Sequence, residues 1–385
     1  MASDRLLSNR PQEPIAGNRG APILGPRNIA LESQNLDLLA SPPTDAGTIP
    51  NLKFSYAAAR NRLTPGGWAR EITVRELPVS TSLAGVNMRL KPGGVRELHW
   101  HKEAEWAYMI AGNARITVVD TEGRVFIDDV GPGDIWNFPA GIPHSIQGLD
   151  EGCEFLLVFD DGNFSENETF LVTDWFAHTP RDVLARNLGL PEVALEKLPK
   201  DPEASRWIFP ADIPGPLAAD KAGREATPMS YSYRFEAQTP IEVAGGRVRV
   251  VDSSSFPASS TIAAALVEVE PGGMRELHWH PNADEWQYYL SGSARMTVFA
   301  SSGKARTFDY QAGDVGAVPF AMGHYVQNTG DETLRFLEVF RSPYYADISA
   351  SQWLGVLPAE LIKAHLNADD RTVASLPRIK PVIVK

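Results

Sequence analysis

The chain has 385 residues, of which 43% are hydrophobic and 22% charged, and its formal net charge is −12 at pH 7. This length suggests two domains, and the acidic charge argues against a nucleic-acid-binding protein, which usually carries a basic face. The single cysteine, Cys153, excludes an internal disulfide framework. Its apolar neighbours indicate a small buried side chain rather than a nucleophile.

Residues 1–50 form a polar N-terminal segment, and their composition predicts an arm that packs on the body of the protein or on a neighbouring subunit. The first 30 residues contain no apolar run long enough for the core of a signal peptide. A stretch of 18 apolar residues that could span a membrane does not occur. We therefore expect a cytoplasmic protein without a membrane partner.

The rest of the chain is a tandem repeat of a unit of about 180 residues. The string KPGGVRELHWH at residues 91–101 returns as EPGGMRELHWH at residues 270–280. A unit of this length is long enough to be a domain. We predict a first domain at residues 51–201 and a second at residues 229–385, joined by a connector at residues 202–228 that is rich in Pro, Ala and Asp.

Each unit shows short strands separated by Gly, Pro or Asp turns, a spacing typical of a jelly-roll barrel. A short helix is predicted after each barrel, opening at Pro180 and ending at Gly189 in the first unit and covering residues 359–366 in the second. The sequence thus predicts an all-β fold of two tandem jelly-roll barrels, each with a short helical arm. The strands predicted in the first unit are residues 83–90, 114–120, 125–129 and 155–159.

Six of the eight histidines stand at repeat-matched positions, three in each unit, and each trio has a matched glutamate. Alternate residues of a strand share one face, so the two histidines of each His-x-His pair project together. One isolated pair would fit ordinary core or surface histidines, but two complete matched sets favour metal binding. Three imidazoles and one carboxylate hold a divalent transition metal and leave positions for water or substrate. The two predicted ligand sets are His99, His101, Glu105 and His144, and His278, His280, Glu285 and His324.

These residues stand in two motifs per unit that resemble the motifs of the cupin family. In the first unit the motifs run from Gly93 to Gly112 and from Gly133 to His144, and Gly148 replaces the usual closing Asn. Residues 50–375 resemble, more closely, the bicupin oxalate decarboxylases. The strings that carry this resemblance are RELHWHKEAEWAYM, RELHWHPNADEWQYYLSGSARMTVFA, QAGDVGAVPFAMGHY and FSENETF.

The resemblance implies that the chain converts oxalate to formate and carbon dioxide. It also implies one manganese ion in each barrel, two per chain, with dioxygen as a further cofactor. The ligand chemistry alone leaves the metal open, because imidazole-rich sites also suit zinc, copper, iron or nickel. The resemblance further implies a homo-oligomer, as a trimer or a hexamer.

Four more residues gain a catalytic role through this resemblance. Arg96 and Arg275 stand three residues before the first ligand of each set, and a guanidinium there would bind a substrate carboxylate in a planar fork. The odd spacing requires the strand to bend between arginine and histidine. Glu166 lies in a loop that would act as a lid, where it would serve as acid and base over the first metal. Glu338 lies on an apolar strand near the second metal.

Some neighbouring residues are expected outside the two metal sites. Glu168 departs from the family's lid loop, and we expect its side chain to face water, since that is the usual fate of a loop glutamate. Trp100 and Trp279 alternate with the ligands and therefore point away from the metal. We interpret them, together with Trp136, as packing residues.

Three other functions remain open from the sequence. An oxalate oxidase shares the metal site but yields hydrogen peroxide, and the lid acid Glu166 favours decarboxylation instead. A non-catalytic bicupin, such as a seed-storage globulin, typically lacks the ligand set that is complete here. Another cupin dioxygenase would need a large apolar pocket. The sequence also leaves open whether the second site is catalytic or structural.

Overall fold

A computed structural model describes residue 31 and residues 34–35, 41–198 and 206–385. Most of the predicted N-terminal arm, residues 1–30, 32–33 and 36–40, lies outside the described residues. These described parts consist mainly of strands with a few short helices, so the all-β prediction is confirmed. Among them, no helix is long and apolar enough to cross a membrane.

The strands follow the repeat seen in the sequence, and we number them in chain order. Described residues up to 198 contain β1 (Lys53–Ser55), β2 (Asn61–Thr64), β3 (Gly67–Ile72), β4 (Ala84–Leu90), β5 (Gly94–Trp100), β6 (Glu105–Val119), β7 (Val125–Val130), β8 (Ile135–Phe138), β9 (His144–Phe159) and β10 (Phe170–Leu171). Residues 206–385 contain β11 (Ile208–Pro210), β12 (Ser232–Tyr233), β13 (Ile241–Val243), β14 (Gly246–Val251), β15 (Ala263–Val269), β16 (Met274–Trp279), β17 (Glu285–Ser291), β18 (Ser293–Ala300), β19 (Lys304–Gln311), β20 (Asp314–Val318), β21 (Gly323–Asn328), β22 (Leu334–Phe340), β23 (Ile348–Ser349) and β24 (Ile383–Val384).

Helices follow each barrel, as predicted. The helix expected from Pro180 spans residues 181–188, and Gly189 ends it in the left-handed conformation at φ 64° that suits a glycine. The helix expected at residues 359–366 is observed with those bounds. The α-helices of the described residues are α1 (Val172–Ala177), α2 (Arg181–Leu188), α3 (Leu217–Lys221), α4 (Ala350–Val356), α5 (Ala359–Leu366) and α6 (Asp370–Ser375).

The two barrels close their sheets in different ways. In the first barrel β6 and β9 are continuous strands of 15 and 16 residues that run through one 11-stranded sheet. Their pairing shifts register on both sides of Gly112, where the strands bend around the barrel. A Cβ at Gly112 would lie 2.0 Å from the carbonyl oxygen of Gly152, so only glycine fits at this bend. The second barrel breaks the equivalent strands and forms separate seven- and six-stranded sheets.

The barrels exchange their first strands. β1 of the first unit pairs with β20 of the second barrel, and β12 of the second unit pairs with β8 of the first barrel. A shared hydrophobic core joins Tyr56 and Phe155 from the first unit to Trp286 and Leu337 from the second. Gly85 allows this close approach, because a Cβ there would come within 2.5 Å of the Trp286 ring.

The segment predicted as a connector also packs on the first barrel. Its strand β11 pairs with β5, so that Ile208 stands opposite Arg96. Arg115 of β6 donates hydrogen bonds to the carbonyl oxygen of Gly215 at 2.8 Å and to Asp220 of α3. The domain limits 51–201 and 229–385 remain a proposal. Strands on each side of these limits pair with the barrel on the other side.

Cys153 lies on β9 and is 4% exposed, so the prediction of a buried side chain is confirmed. Burial raises the pKa of its thiol to about 12. The thiolate is the reactive form, so we expect no reaction of the native protein with a thiol reagent at about pH 8. Unfolding in guanidinium should release one reactive thiol per chain. Stoichiometric labelling of the native protein at that pH would contradict the buried placement.

Candidate functional site

The first predicted ligand set comes together where three strands of the first barrel meet. His99 lies near the end of β5 and His101 directly follows it, while Glu105 and His144 are the first residues of β6 and β9. β5 and β9 pair with His99 opposite His144. All four side chains are buried, and one ligand atom from each lies within 4.8 Å of the others. The structure thus places the four predicted ligands around one point.

The second set repeats this arrangement. His278 and His280 lie at the end of β16 and just beyond it, Glu285 begins β17, and His324 lies on β21. Their ligand atoms also fall within 4.8 Å of one another, and all four residues are buried. Each barrel therefore carries a cluster of three imidazoles and one carboxylate.

Hydrogen bonds to backbone carbonyl groups fix the tautomer of every clustered histidine. A carbonyl oxygen can only accept, so each Nδ1 carries the hydrogen and each Nε2 keeps its lone pair. All six imidazoles are thereby prepared to bind a metal through Nε2. The Nδ1–oxygen distances are 2.5 Å for His99 to Glu97, 2.7 Å for His101 to Glu103, 2.8 Å for His144 to Ile142, 2.6 Å for His278 to Glu276, 2.8 Å for His280 to Ala346 and 3.0 Å for His324 to Met322.

Several of these ligand atoms are buried without a hydrogen-bond partner. They are the Nε2 atoms of His144, His278, His280 and His324 and the Oε2 atom of Glu285. A buried polar atom without a partner is costly, and each one calls for an explanation. One divalent metal ion in each cluster would satisfy all of them, and three imidazoles with one carboxylate fit such an ion.

Burial and nearby charges favour the protonation state that a metal requires in three ligands, His99, His278 and Glu105. Burial, followed by the positive charge of Arg96, keeps the pKa of His99 well below its ordinary value. Burial and Arg275 do the same for His278. Burial alone would raise the pKa of Glu105, but the adjacent imidazoles of His101 and His144 lower it to about 2. Neutral imidazoles and an ionised carboxylate are the forms that bind metal.

A different residue orients the carboxylate in each barrel. Trp136 donates its indole N–H to Oε1 of Glu105 at 3.2 Å, and Gln287 donates to Oε1 of Glu285 at 2.8 Å. The other oxygen of each glutamate is left facing the histidines, with Oε2 of Glu285 2.7 Å from Nε2 of His324. The packing interpretation of Trp136 missed this hydrogen bond.

Arg96 and Glu166 form a buried ion pair beside the first cluster. The pairing of β5 with β9 is irregular between Arg96 and His99, which is the bend that the odd spacing requires. Nη2 of Arg96 donates to Oε2 of Glu166 at 3.1 Å, and these residues are 2% and 4% exposed. Glu168 is exposed, as predicted. The lid loop is thus folded with one glutamate inside and the other in water.

Two contacts hold the lid backbone in this position. The amide of Glu166 donates to Oε2 of Glu71 at 3.2 Å, and Arg75 donates to the carbonyl oxygen of Phe164 at 3.2 Å. The ring of Phe164 stacks on Phe159, with the ring centres 3.5 Å apart. The lid is therefore tied to the end of β3 and to β9.

Arg275 beside the second cluster is bound by residues that the sequence did not indicate. Arg275 donates to Glu338, the residue predicted near the second metal, at 3.2 Å. It also donates to Asp347 at 2.5 Å and to the Tyr345 hydroxyl at 3.0 Å. Burial raises the pKa of Glu338, which is fully buried. Arg275 thus has two carboxylate partners, Glu338 on β22 and Asp347 in the loop between β22 and β23 that corresponds to the first barrel's lid.

Residues 55–194 and 233–374 each match the sequence profile of the cupin family. The chain is 58% identical over 375 residues to oxalate decarboxylase OxdC of Bacillus subtilis (strain 168), covering 97% of both proteins. It is 41% identical over 380 residues to a probable oxalate decarboxylase of Arthroderma benhamiae, covering 97% of this chain and 93% of that one. A solved structure of the Bacillus subtilis enzyme, whose Mn(II) centres were studied by EPR, matches with a TM-score of 0.92 at 58% identity, over 96% of this chain and 98% of that chain.

The two clusters should bind metal independently. We expect about two ions per chain by elemental analysis, and about one in His144→Ala or His324→Ala, because each change removes one ligand from a single four-residue set. His178→Ala is the matched control, since His178 is exposed and outside both sets. Loss of both ions in either ligand variant, with the fold retained by circular dichroism, would contradict two separate sites.

Proposed function

The chain belongs to the cupin family, as one of its manganese-dependent bicupin oxalate decarboxylases, and we propose that it converts oxalate to formate and carbon dioxide at the metal site of the first barrel. The observation that carries this choice of site is the buried pair of Arg96 and Glu166 beside a complete ligand set. It combines a cation for an anionic substrate with a carboxylate that can move a proton.

Arg96 serves as the binding group for oxalate. A guanidinium presents planar, fixed donors that match a carboxylate, and burial strengthens such an interaction. Its carboxylate partner Glu166 lies on a loop, so donors of Arg96 become available to the substrate when the lid moves. The ligands His99, His101, Glu105 and His144 would hold manganese, which supplies one-electron redox chemistry when bound.

Glu166 serves as the proton carrier. The hydrogen oxalate ion gives formate and carbon dioxide when its carbon–carbon bond breaks, and its one proton ends on the carbon of formate. Glu166 accepts that proton from a substrate oxygen and returns it to carbon, as a general base and then a general acid. The closed lid, with Phe164 buried against Phe159, keeps water from supplying the proton instead.

The second barrel is proposed to hold its metal without turning over substrate. Arg275, predicted as a catalytic residue with Glu338, already contacts Glu338 and Asp347. An oxalate anion there would have to displace two carboxylates that already pair with Arg275, and like charges in a buried site repel strongly. Arg275 and Glu338 are therefore proposed to stabilise the second metal site rather than to bind oxalate.

The rival activity, an oxalate oxidase, differs in its products and in its use of dioxygen. We propose dioxygen as a cofactor that decarboxylation does not consume, whereas an oxidase reduces it to peroxide in proportion to the oxalate used. Formate, carbon dioxide and peroxide measured together under air and under argon separate the two. Peroxide equal to the oxalate consumed would establish the oxidase.

Exposed aromatic residues at matched positions in the two barrels support the proposal of a homo-oligomer, a trimer or a hexamer. Trp175 is 60% exposed and packs edge-on against Trp100, while Trp353 is 51% exposed and packs edge-on against Trp279. Exposed apolar patches commonly mark protein interfaces. A patch on each barrel suits a ring in which the first barrel of one subunit contacts the second barrel of the next.

The cytoplasm is proposed as the location, on the sequence evidence given above, and cell fractionation would test it. The single cysteine is consistent with a reducing compartment, since disulfides are rare there.

Replacing Glu166 tests the proton carrier. Glu166→Gln keeps the shape of the side chain but cannot carry the proton, so formate production should fall by about 10²–10⁴. Peroxide should increase, because the reacting substrate lacks its proton donor. Formate and peroxide are measured from the same incubation with oxalate at matched manganese content.

The neighbouring glutamates provide the controls for this experiment. Glu168→Ser should change the rate only modestly, since Glu168 faces water. Near-normal formate from Glu166→Gln together with its loss in Glu168→Ser would show that the wrong lid glutamate was assigned. Loss of turnover in Glu338→Gln alone, with both metals retained, would place catalysis in the second barrel.

The oligomer proposal predicts a particle of three or six times the 42.1 kDa of one chain by light scattering. Trp175→Ser combined with Trp353→Ser should shift the particle towards the monomer, because it removes apolar area from both faces. Leu63→Ser is the control, since Leu63 is 75% exposed and outside both patches. An unchanged particle mass in the double variant would rule out these patches as the interface.

A further inference from the structure

Trp207 lies in the segment that the sequence predicted as a connector, yet it is 2% exposed and reaches the first site. The strand β11 that follows it pairs with β5 and fixes its position beside Arg96. Its carbonyl oxygen accepts a hydrogen bond from the amide of Glu97 at 2.9 Å. Its φ is 32°, a conformation that a bulky side chain rarely adopts and that persists only where the surroundings enforce it.

The indole of Trp207 binds the proposed proton carrier. Its Nε1 donates to Oε2 of Glu166 at 2.9 Å, and Arg96 donates to the same oxygen at 3.1 Å. An indole N–H and a guanidinium can only donate, so Oε2 acts as acceptor in both hydrogen bonds. An oxygen that already accepts two hydrogen bonds is a poor position for a proton. Neither of these two donors bonds Oε1.

The indole ring also contacts the lid through Arg62. The guanidinium of Arg62 lies 3.7 Å from the centre of the Trp207 ring, within the range of a cation–π interaction. Arg62 in turn donates to Oδ1 of Asn167, the lid residue next to Glu166, at 3.3 Å. Trp207 thus touches one lid residue directly and a second through an arginine.

Val382 holds the position in the second barrel that Trp207 holds in the first, so the two can be compared directly. Val382 also has a positive φ, 62°, and its carbonyl oxygen accepts from the Glu276 amide at 3.0 Å and from Arg275 at 3.1 Å. The strand β24 follows it and pairs with β16 as β11 pairs with β5. The backbone arrangement is therefore common to both barrels, whereas the side chain at this position is a donor in Trp207 and not in Val382. Glu338 of the second barrel accepts instead from the Tyr345 hydroxyl at 3.2 Å.

We infer that Trp207 is a positioning residue that holds Oε2 of Glu166 as an acceptor and so confines the transferred proton to Oε1, an inference that rests on the proposed function. Loss of this donor leaves Oε2 with the hydrogen bond from Arg96 and a vacant lone pair, so that the proton can reside on the wrong oxygen. A hydrogen bond to a charged group is among the stronger ones in proteins, so its removal should lower kcat by about tenfold or more.

The sharpest test removes the N–H but keeps the ring. Incorporation of β-(3-benzothienyl)alanine at position 207 replaces the indole N–H with sulfur at nearly the same volume, and Trp207→Phe provides a genetically encoded second variant. Both should lower kcat for formate by about tenfold or more, with a much smaller change in KM for oxalate. The pH–rate profile should move to higher pH, because the ionised carboxylate has lost a donor.

Trp68→Phe is the matched control, since Trp68 lies in the same barrel and its ring also lies against an arginine, Arg70, at 5.0 Å. It should leave kcat and the pH profile unchanged. Wild-type kcat and an unshifted profile in the benzothienyl variant would overturn the role of Trp207, as would an equal effect from Trp68→Phe. Failure of the wild-type protein to form formate from oxalate would instead reject the proposed function, and this inference with it.

Discussion

Everything at the two metal sites depends on a hydrogen bond that leaves each histidine only one free nitrogen. The six Nδ1 atoms donate to backbone carbonyl oxygens, so the six Nε2 atoms can face the metal. For His99 and His144 these carbonyls lie two residues earlier in the chain, so the backbone that places the ring also fixes its tautomer. Fixing each imidazole ring in this way costs little further conformational entropy, because the strands are already fixed by the barrel.

The strand bend that serves these histidines also places a buried arginine beside each cluster. A regular strand would place residues three apart on opposite faces. The irregular pairing between Arg96 and His99 brings the guanidinium close enough that its charge lowers the pKa of the imidazole. The same irregularity stands between Arg275 and His278. One local distortion therefore supplies each barrel with a buried cation, and the partners of that cation determine what the barrel can do.

Those partners separate the two barrels. A buried arginine must be neutralised, and an uncompensated buried charge is strongly destabilising. Arg275 meets this requirement with Glu338 on β22 and with the loop residue Asp347, which Lys380 also binds. Arg96 meets it with Glu166, which lies on a short turn between β9 and β10. A partner on a strand such as Glu338 keeps Arg275 neutralised, whereas the first barrel has no such strand partner for Arg96 among the described ion pairs and relies on the loop residue Glu166.

The sequence predicted the ligand sets, the barrels and the helices because each depends on local spacing. A His-x-His pair and a proline before a helix are visible within a few residues. Trp136, Gln287 and Asp347 escaped prediction because their roles depend on contacts across strands. Trp136 aligns with Gly316 in the repeat and Gln287 aligns with Ala107. A comparison of the two repeat units therefore does not reveal these residues. The strand exchange escaped for the same reason, since β1 resembles any short strand until its partner is known.

The first site is therefore larger than the repeat unit that carries its ligands. Trp207 and β11 come from beyond the predicted first domain, and β12 of the second unit completes the sheet that contains Trp136. Trp136 in turn orients Glu105. A first unit cut at residue 201 would keep all four ligands but would lose the indole bound to Glu166 and the strand beside β8. The repeat thus supplies two ligand clusters, while residues from beyond the first unit place an indole on the buried ion pair beside one of them.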